Sequence, residues 1–201
     1  MPGSFDLTVR HDHAIARYRT GRGNAASTMW RDVADRVEGI AQAPRRDPAL
    51  IQQDVRDAIR RQLEDWRQSL GQDLREMARN EARWLGTALQ RTLALPDLRT
   101  LQVGQIPILG RPLDAWWRAL ARDTAQKVGD LVKGARATGM PPDELAAQVA
   151  AVLDRAQQSA KSLTTTAVQA VANQARVAVA RENQDQVKGI LWSAILDART
   201  T

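Results

Sequence analysis

The feature that most restricts how this chain can fold is a stripe of apolar residues. Val55, Ile59, Leu63, Trp66, Leu70, Leu74 and Met77 follow one another at spacings of 4, 4, 3, 4, 4 and 3, and Glu81, Leu85 and Ala88 continue the pattern. Residues three and four apart share one side of an α-helix and of no other regular structure. An eleven-residue repeat means about 3.67 residues per turn, so the stripe runs nearly parallel to a straight axis. The spacing predicts a helix from Ala49 to about Leu93, a rod of roughly 65 Å at 1.5 Å per residue. Only Gly71 and Gly86 weaken it, each by about 1 kcal/mol relative to alanine. So narrow a stripe cannot bury itself. It needs the first helix folded back on it or a partner chain, a second copy included.

Around this rod the sequence predicts further helices. From Asp6 to about Gln42 the apolar residues Ile15, Tyr18, Met29, Val33, Val37 and Ile40 mark a helix, with a bend expected near Arg22 where Gly21 and Gly23 interrupt it. Asp47 reads as a helix cap, with Pro48 in the first helical position. Pro96 ends the rod. Leu101, Val103, Ile106 and Ile108, broken by Gly104 and Pro107, suggest an extended segment or hairpin arm. A third helix begins at Pro112 and closes at Gly139, a residue suited to a left-handed cap. Pro141, Pro142, Asp143 and Glu144 open a short fourth helix, with acids where the helix dipole favours them. A fifth is expected from about Ala160 to Asn183, with Leu163, Ala167, Val171, Ala175 and Ala178 on its core face. Val187 to Leu196 then alternates in the manner of a strand. A lone strand leaves its backbone unpaired, so it needs a partner: the Leu101 to Ile108 segment, residues beyond Thr201, or another molecule. The expected fold is mainly α, a long helical rod or hairpin over 1–95, a linker or β-arm over 96–111, and a compact helical domain with a short C-terminal β-strand over 112–201.

Composition agrees and limits the chemistry. Aromatic residues make up 4% of the chain and six of the eight are Trp, so the tryptophans become the packing anchors. The net charge of +6 is carried almost entirely by arginine, whose planar fork suits phosphate, although interspersed acids dilute the field. Cysteine is absent, which excludes disulfides, thiolate metal sites and cysteine nucleophiles within these residues. No run approaches the ~20 apolar residues of a membrane span, and Met1 to Phe5 lacks the apolar core of a signal peptide, so no membrane partner is expected.

No constellation of residues points to catalysis. His11-Asp12-His13 lacks further ligands, and alternating residues on a helix diverge, so a solvated turn is expected and no metal. Glu64-Asp65 and Asp143-Glu144 sit among mixed charges without apolar neighbours that would tune a pKa. Ser162 to Thr166 has no base beside it, and no glycine-rich phosphate loop follows a strand, so no cofactor is implied. What remains are contact candidates, each with a plainer alternative. Arg45, Arg46, Arg60 and Arg61 are the best candidates for sequence-independent phosphate contacts, or else line a solvated face. Trp116 and Trp117 are core residues or a docking anchor for a protein partner, and Trp192 poses the same choice. Asp197, Arg199 and Thr200 form a local turn network or meet a partner directly.

From Gly110 onward the chain resembles the phage head-morphogenesis family, the Mu F-like minor head proteins. The residues that carry the resemblance are Gly110-Arg111-Pro112-Leu113-Asp114-Ala115-Trp116-Trp117, the Gly139 turn with Glu144-Leu145-Ala146, and Thr166 with Asn173. Val187-Lys188-Gly189-Ile190-Leu191-Trp192 follows, leading to Leu196-Asp197-Ala198-Arg199-Thr200, similar to the family's strand and Asp-x-Arg-Thr signature. The resemblance covers the C-terminal half. This chain has Ala167 where the family places an acid, and it stops where the family continues into a cysteine-containing module of the zinc-binding kind, so a longer gene product is expected. The resemblance implies a virion protein at the portal vertex, made in the host cytoplasm. Its role would lie in head assembly, DNA packaging or DNA delivery, its partners would be the portal or major capsid protein and packaged DNA, and it would have no enzymatic activity. Two alternatives stay open: an ejected DNA-binding virion protein, or the N-terminal part of a protein with a downstream enzymatic or metal-binding module.

Overall fold

In a computed structural model that describes residues 4–41, 47–88, 93–98 and 101–185, the chain is mainly α. Four long helices, α1 (Ser4–Ala41), α2 (Pro48–Ala88), α3 (Leu113–Thr138) and α4 (Pro142–Glu182), hold most of the described residues. Between α2 and α3 lie a 3₁₀ turn (Val103–Gln105) and a two-stranded hairpin, β1 (Pro107–Ile108) with β2 (Arg111–Pro112). The hairpin is antiparallel, Pro107 opposite Pro112 and Ile108 opposite Arg111.

The apolar stripe of α2 is buried as its spacing requires, from Ile51, Val55 and Ile59 through Leu63, Leu70 and Leu74 to Met77. Its cover comes from the same chain, since α1, α3 and α4 all pack on α2. The seam considered for self-association is therefore occupied. Side-chain contacts fix the directions. His11 and Tyr18 of α1 meet Glu81 and Asp73 of α2, so these two helices run antiparallel. Arg67 of α2 meets Asp114 near the start of α3. Helices α3 and α4 reverse direction at Gly139, whose φ of 70° is the left-handed conformation that needs no Cβ; Met140 N–H then donates to Ala135 O at 2.8 Å. Helices α2 and α4 form a central pair, with α1 packed on one side of it and α3 on the other. A single apolar core joins residues of both halves, with Trp30, Val37 and Ile59 in the same cluster as Trp117, Val128 and Val171.

Two sequence expectations need correction. Helix α1 does not break near Arg22; it runs unbroken through Gly21 and Gly23. Gly23 is buried against α4, where an added Cβ would lie 3.0 Å from Thr165 Cγ2, so this glycine permits a close helix approach instead of a bend. The fourth and fifth helices are one, α4, 41 residues long. No breaker lies between Val152 and Ala160, and the buried face continues without a gap through Leu145, Val149, Leu153, Ala156, Ala160 and Thr164. Its alanines keep that face low, which lets α1 and α2 approach closely. Helix α2 is described as far as Ala88, and the expected end near Leu93 adjoins residues 89–92, which lie outside the described residues. The strand expected over 187–196 lies outside the described residues. Among the described residues no helix is long and apolar enough to cross a membrane.

Candidate functional site

The hairpin that precedes α3 has an unusual tip. Its two turn residues, Leu109 and Gly110, have φ of 50° and 76°. A two-residue turn with both φ positive matches the twist of paired strands and favours Asn-Gly or Asp-Gly. Glycine meets that demand without cost, but leucine in the left-handed region is strained by about 1–2 kcal/mol. Leu109 is also 90% exposed, so it gains nothing from burial. Two local rules are thus broken at one residue, and such departures concentrate where a side chain is held for contact.

The hairpin is braced from below. Trp116, one turn into α3, donates its indole N–H to Ile108 O at 2.8 Å, and the Arg111 guanidinium lies 5.1 Å over its ring. Leu113 N–H donates to Ile106 O at 3.0 Å, tying the helix start to the base of the hairpin. Pro107 and Pro112 remove two backbone donors, which blunts the edges against further strand addition. Beside the tip is a groove of about 440 Å³ lined by Ile108, Leu109, Trp116, Leu120 and Leu163, with Arg111 and Asp123 among its polar residues.

At the other end of the bundle, charge is buried between three helices. Glu81 of α2, on the apolar stripe, has a side chain with no exposure. One carboxylate oxygen accepts from His11 Nε2 of α1 at 2.7 Å, and the other pairs with Arg176 of α4. The His11 ring stacks on Trp84, centroids 3.6 Å apart and planes within 6°, and Arg176 lies 5.6 Å from the same indole. A buried carboxylate survives only if paired, and Glu81 has two partners. Two turns away, Tyr18 donates to Asp73 O at 3.0 Å, and Arg22 pairs with the Asp73 carboxylate. Burial raises the Tyr18 pKa above its usual 10.0; Arg22 pulls it partway back, while Asp73 and Glu76 push it up.

Sequence reasoning missed this cluster by expecting His11 in a solvated turn, when 11% of its side chain is exposed. The signal was there in Glu81, a carboxylate at a stripe position, which had to find a buried cation or donor. His13 is exposed, and among the described residues no group of three His, Cys, Asp or Glu side chains converges as a metal site would require.

The other candidates separate clearly. Trp117 is 1% exposed and belongs to the core, whereas its neighbour Trp116 is half-buried and holds the hairpin. Arg60 and Arg61 both turn toward Asp57, one to its carboxylate at 3.2 Å and the other to its backbone oxygen at 3.3 Å. Arg45, Arg46, Trp192, Asp197, Arg199 and Thr200 lie outside the described residues. Thr164 donates to Ala160 O, and Thr165 and Thr166 to Ser162 O, so these hydroxyls serve their own helix. Ala167, where the family resemblance expects an acid, is fully buried, and a charge there would face the core. No protein-family model, no curated protein and no solved structure matches this chain.

Proposed function

We propose that this chain is a minor structural protein of a tailed-phage head, docked at or near the portal vertex and acting in head assembly, DNA packaging or DNA delivery. It works by binding, with the portal or major capsid protein as its protein partner and packaged DNA as a partner recognised without sequence preference. The observation that carries the reading is a coincidence of place. The run Gly110 to Trp117, which resembles the head-morphogenesis family, falls on the hairpin and first turn of α3 that present Leu109. An exposed apolar side chain on a braced hairpin suits insertion into a pocket of a partner, where a few apolar anchors carry most of the binding energy.

The test uses the full chain with purified portal rings and with major capsid protein from the phage genome that carries the gene. Retention on one of them, weakened at least tenfold by Leu109→Asp, is the expected result. If neither retains the chain, the head assignment fails. Salt-sensitive DNA binding with no portal or capsid binding favours an ejected virion protein instead.

A further inference from the structure

The outer face of α2 carries a row of arginines with few acids beside it. Arg75, Arg79 and Arg83 follow one another at every fourth residue, about 6 Å apart along the axis at 1.5 Å per residue. They lie away from the buried positions Leu74, Met77 and Glu81; Arg79 and Arg83 are exposed and Arg75 half-buried. Like charges at this spacing repel and weaken a helix. The positions three and four away from Arg75 are Gly71, Gln72, Ala78 and Arg79, and those around Arg83 are Arg79, Asn80, Gly86 and Thr87, so neither has an acid within its own helix. Glu76 is the single acid so placed for Arg79. None of the three forms an ion pair among the described residues. By contrast, Arg22, Arg60, Arg67 and Arg176 each meet a carboxylate.

A second observation lies beside the row. A groove of about 470 Å³ between α2 and the start of α3 is lined by Gln68, Gln72, Arg75 and Gln102, together with Glu64 and Asp114. Both carboxylates are taken by Arg67, at 2.7 Å each. The three glutamine amides have no side-chain hydrogen bond among the described residues. Next to the arginine row, therefore, lies a groove in which Arg67 and Arg75 together balance the two carboxylates and the glutamine amides are left spare.

We propose that this face of α2 binds the phosphate backbone of double-stranded DNA, with Arg79 and Arg83 on the ridge and Arg75 with the glutamine amides in the groove. Guanidinium groups grip phosphate oxygens in pairs, and glutamine amides reach the same oxygens without adding charge. Duplex DNA offers one charge per ~1.7 Å, so a row of about 12 Å meets several phosphates at once. An acidic protein partner fits less well, because the ridge has no exposed apolar anchor: its other residues are Gln72, Glu76 and Asn80. Nothing in the row can read base edges in a fixed pattern, so binding is independent of sequence. This surface deepens the DNA-contact part of the function proposed above, and it places that contact away from Arg60 and Arg61.

The experiment measures binding of the full chain to a labelled random-sequence duplex by fluorescence anisotropy from 50 to 300 mM salt, a range of roughly the width over which phosphate contacts are lost. The variant Arg75→Gln/Arg79→Gln/Arg83→Gln is expected to bind at least tenfold more weakly at low salt. Its log–log salt slope should be shallower by about 2–3, at ~0.9 per lost phosphate contact. Removing three exposed arginines elsewhere, as Arg31→Gln/Arg36→Gln/Arg155→Gln, should leave the slope unchanged. The double variant Arg79→Gln/Arg83→Gln touches only exposed positions and settles the matter should the triple one unfold. Equal losses in the control and the row variants would reduce the effect to net charge and overturn the proposal. So would absence of duplex binding, or binding of inorganic phosphate alone. Portal retention by the row variant is read separately: a chain that binds DNA through this face but no head protein keeps this proposal and sinks the head assignment.

Discussion

The two ends of the helical bundle are held by different chemistry. Where α1 starts and α2 and α4 finish, a buried carboxylate joins three helices, Glu81 with His11 and Arg176 packed around Trp84. Where α3 crosses the first half of α2, the contact is mainly apolar, built from Trp117, Leu113, Val128 and Val132, with the Arg67–Asp114 pair near the start of α3. Apolar packing is non-directional and tolerates small slips, whereas a buried charge with two partners has one workable arrangement. The charged end therefore sets the register of α1 along α2 and α4, and the apolar end supplies most of the burial around α3. The surface divides in the same sense, with an apolar hairpin tip over α3 and unpaired arginines farther along α2.

The largest effects should test this division directly. Trp117→Ala is expected to cost about 3–5 kcal/mol in chemical denaturation, through lost burial and a cavity. Glu81→Leu should cost a similar 3–5 kcal/mol, because Arg176 and His11 lose their anion. The ends then diverge. Replacing the three side chains together, as His11→Leu/Glu81→Leu/Arg176→Met, should restore most of that stability, since apolar groups of like volume can replace a buried ion pair. If the triple variant is no more stable than Glu81→Leu alone, the cost of Glu81→Leu does not come from the partners it strands.

A smaller effect is expected at the loop that closes the charged end. Asn183 is 2% exposed, accepts from Ala94 N–H at 2.8 Å and donates to Ala94 O at 2.8 Å, doing for one residue what a neighbouring strand would do. Asn183→Ala should cost about 1–3 kcal/mol and speed hydrogen exchange at the Ala94 amide. Unchanged exchange there would show that the loop is held by other means.

Tyr18 provides a pH test of the same end. Its pKa is raised in the folded chain, so the native state holds its proton more tightly than the unfolded one. The stability this contributes is complete below pH 10.0 and is lost as pH rises above it, through the folded pKa. Tyr18→Phe should have a shallower decline of stability with pH in that alkaline range. A decline as steep as that of the unaltered chain would assign it to other groups. The smallest effect belongs to the hairpin. Leu109→Asn should stabilise by up to about 1 kcal/mol in thermal melts, because asparagine adopts the left-handed turn more readily. A loss of stability would mean that Leu109 serves folding and is not kept for contact.

Much of the fold was legible because periodicity reports directly on burial. The α2 stripe, the Asp47-Pro48 start and the Gly139 turn all follow from short-range rules, and all appear where those rules place them. The errors have two origins. Gly23 looked like a weak point because helix propensity is a local quantity, while the packing of α1 against α4 overrides it. The segment between Val152 and Ala160 holds no breaker, and its residues carry α4 through without a break. The contact sites were less legible still. Trp116 and Trp117 are adjacent and chemically identical, and only the presence of a hairpin above one of them separates a brace from a core residue.

The amino-acid order alone determined that this chain would be helical, which positions would face inward, and that its surface would be basic, because each depends on neighbours within a turn or on simple sums. Which helix covers which stripe, which arginines find acids, and how His11 comes to lie on Trp84 depend on residues brought together from far apart in the chain. Those were decided by the tertiary structure, since the energy of a buried charge or an exposed leucine is set by its surroundings in space.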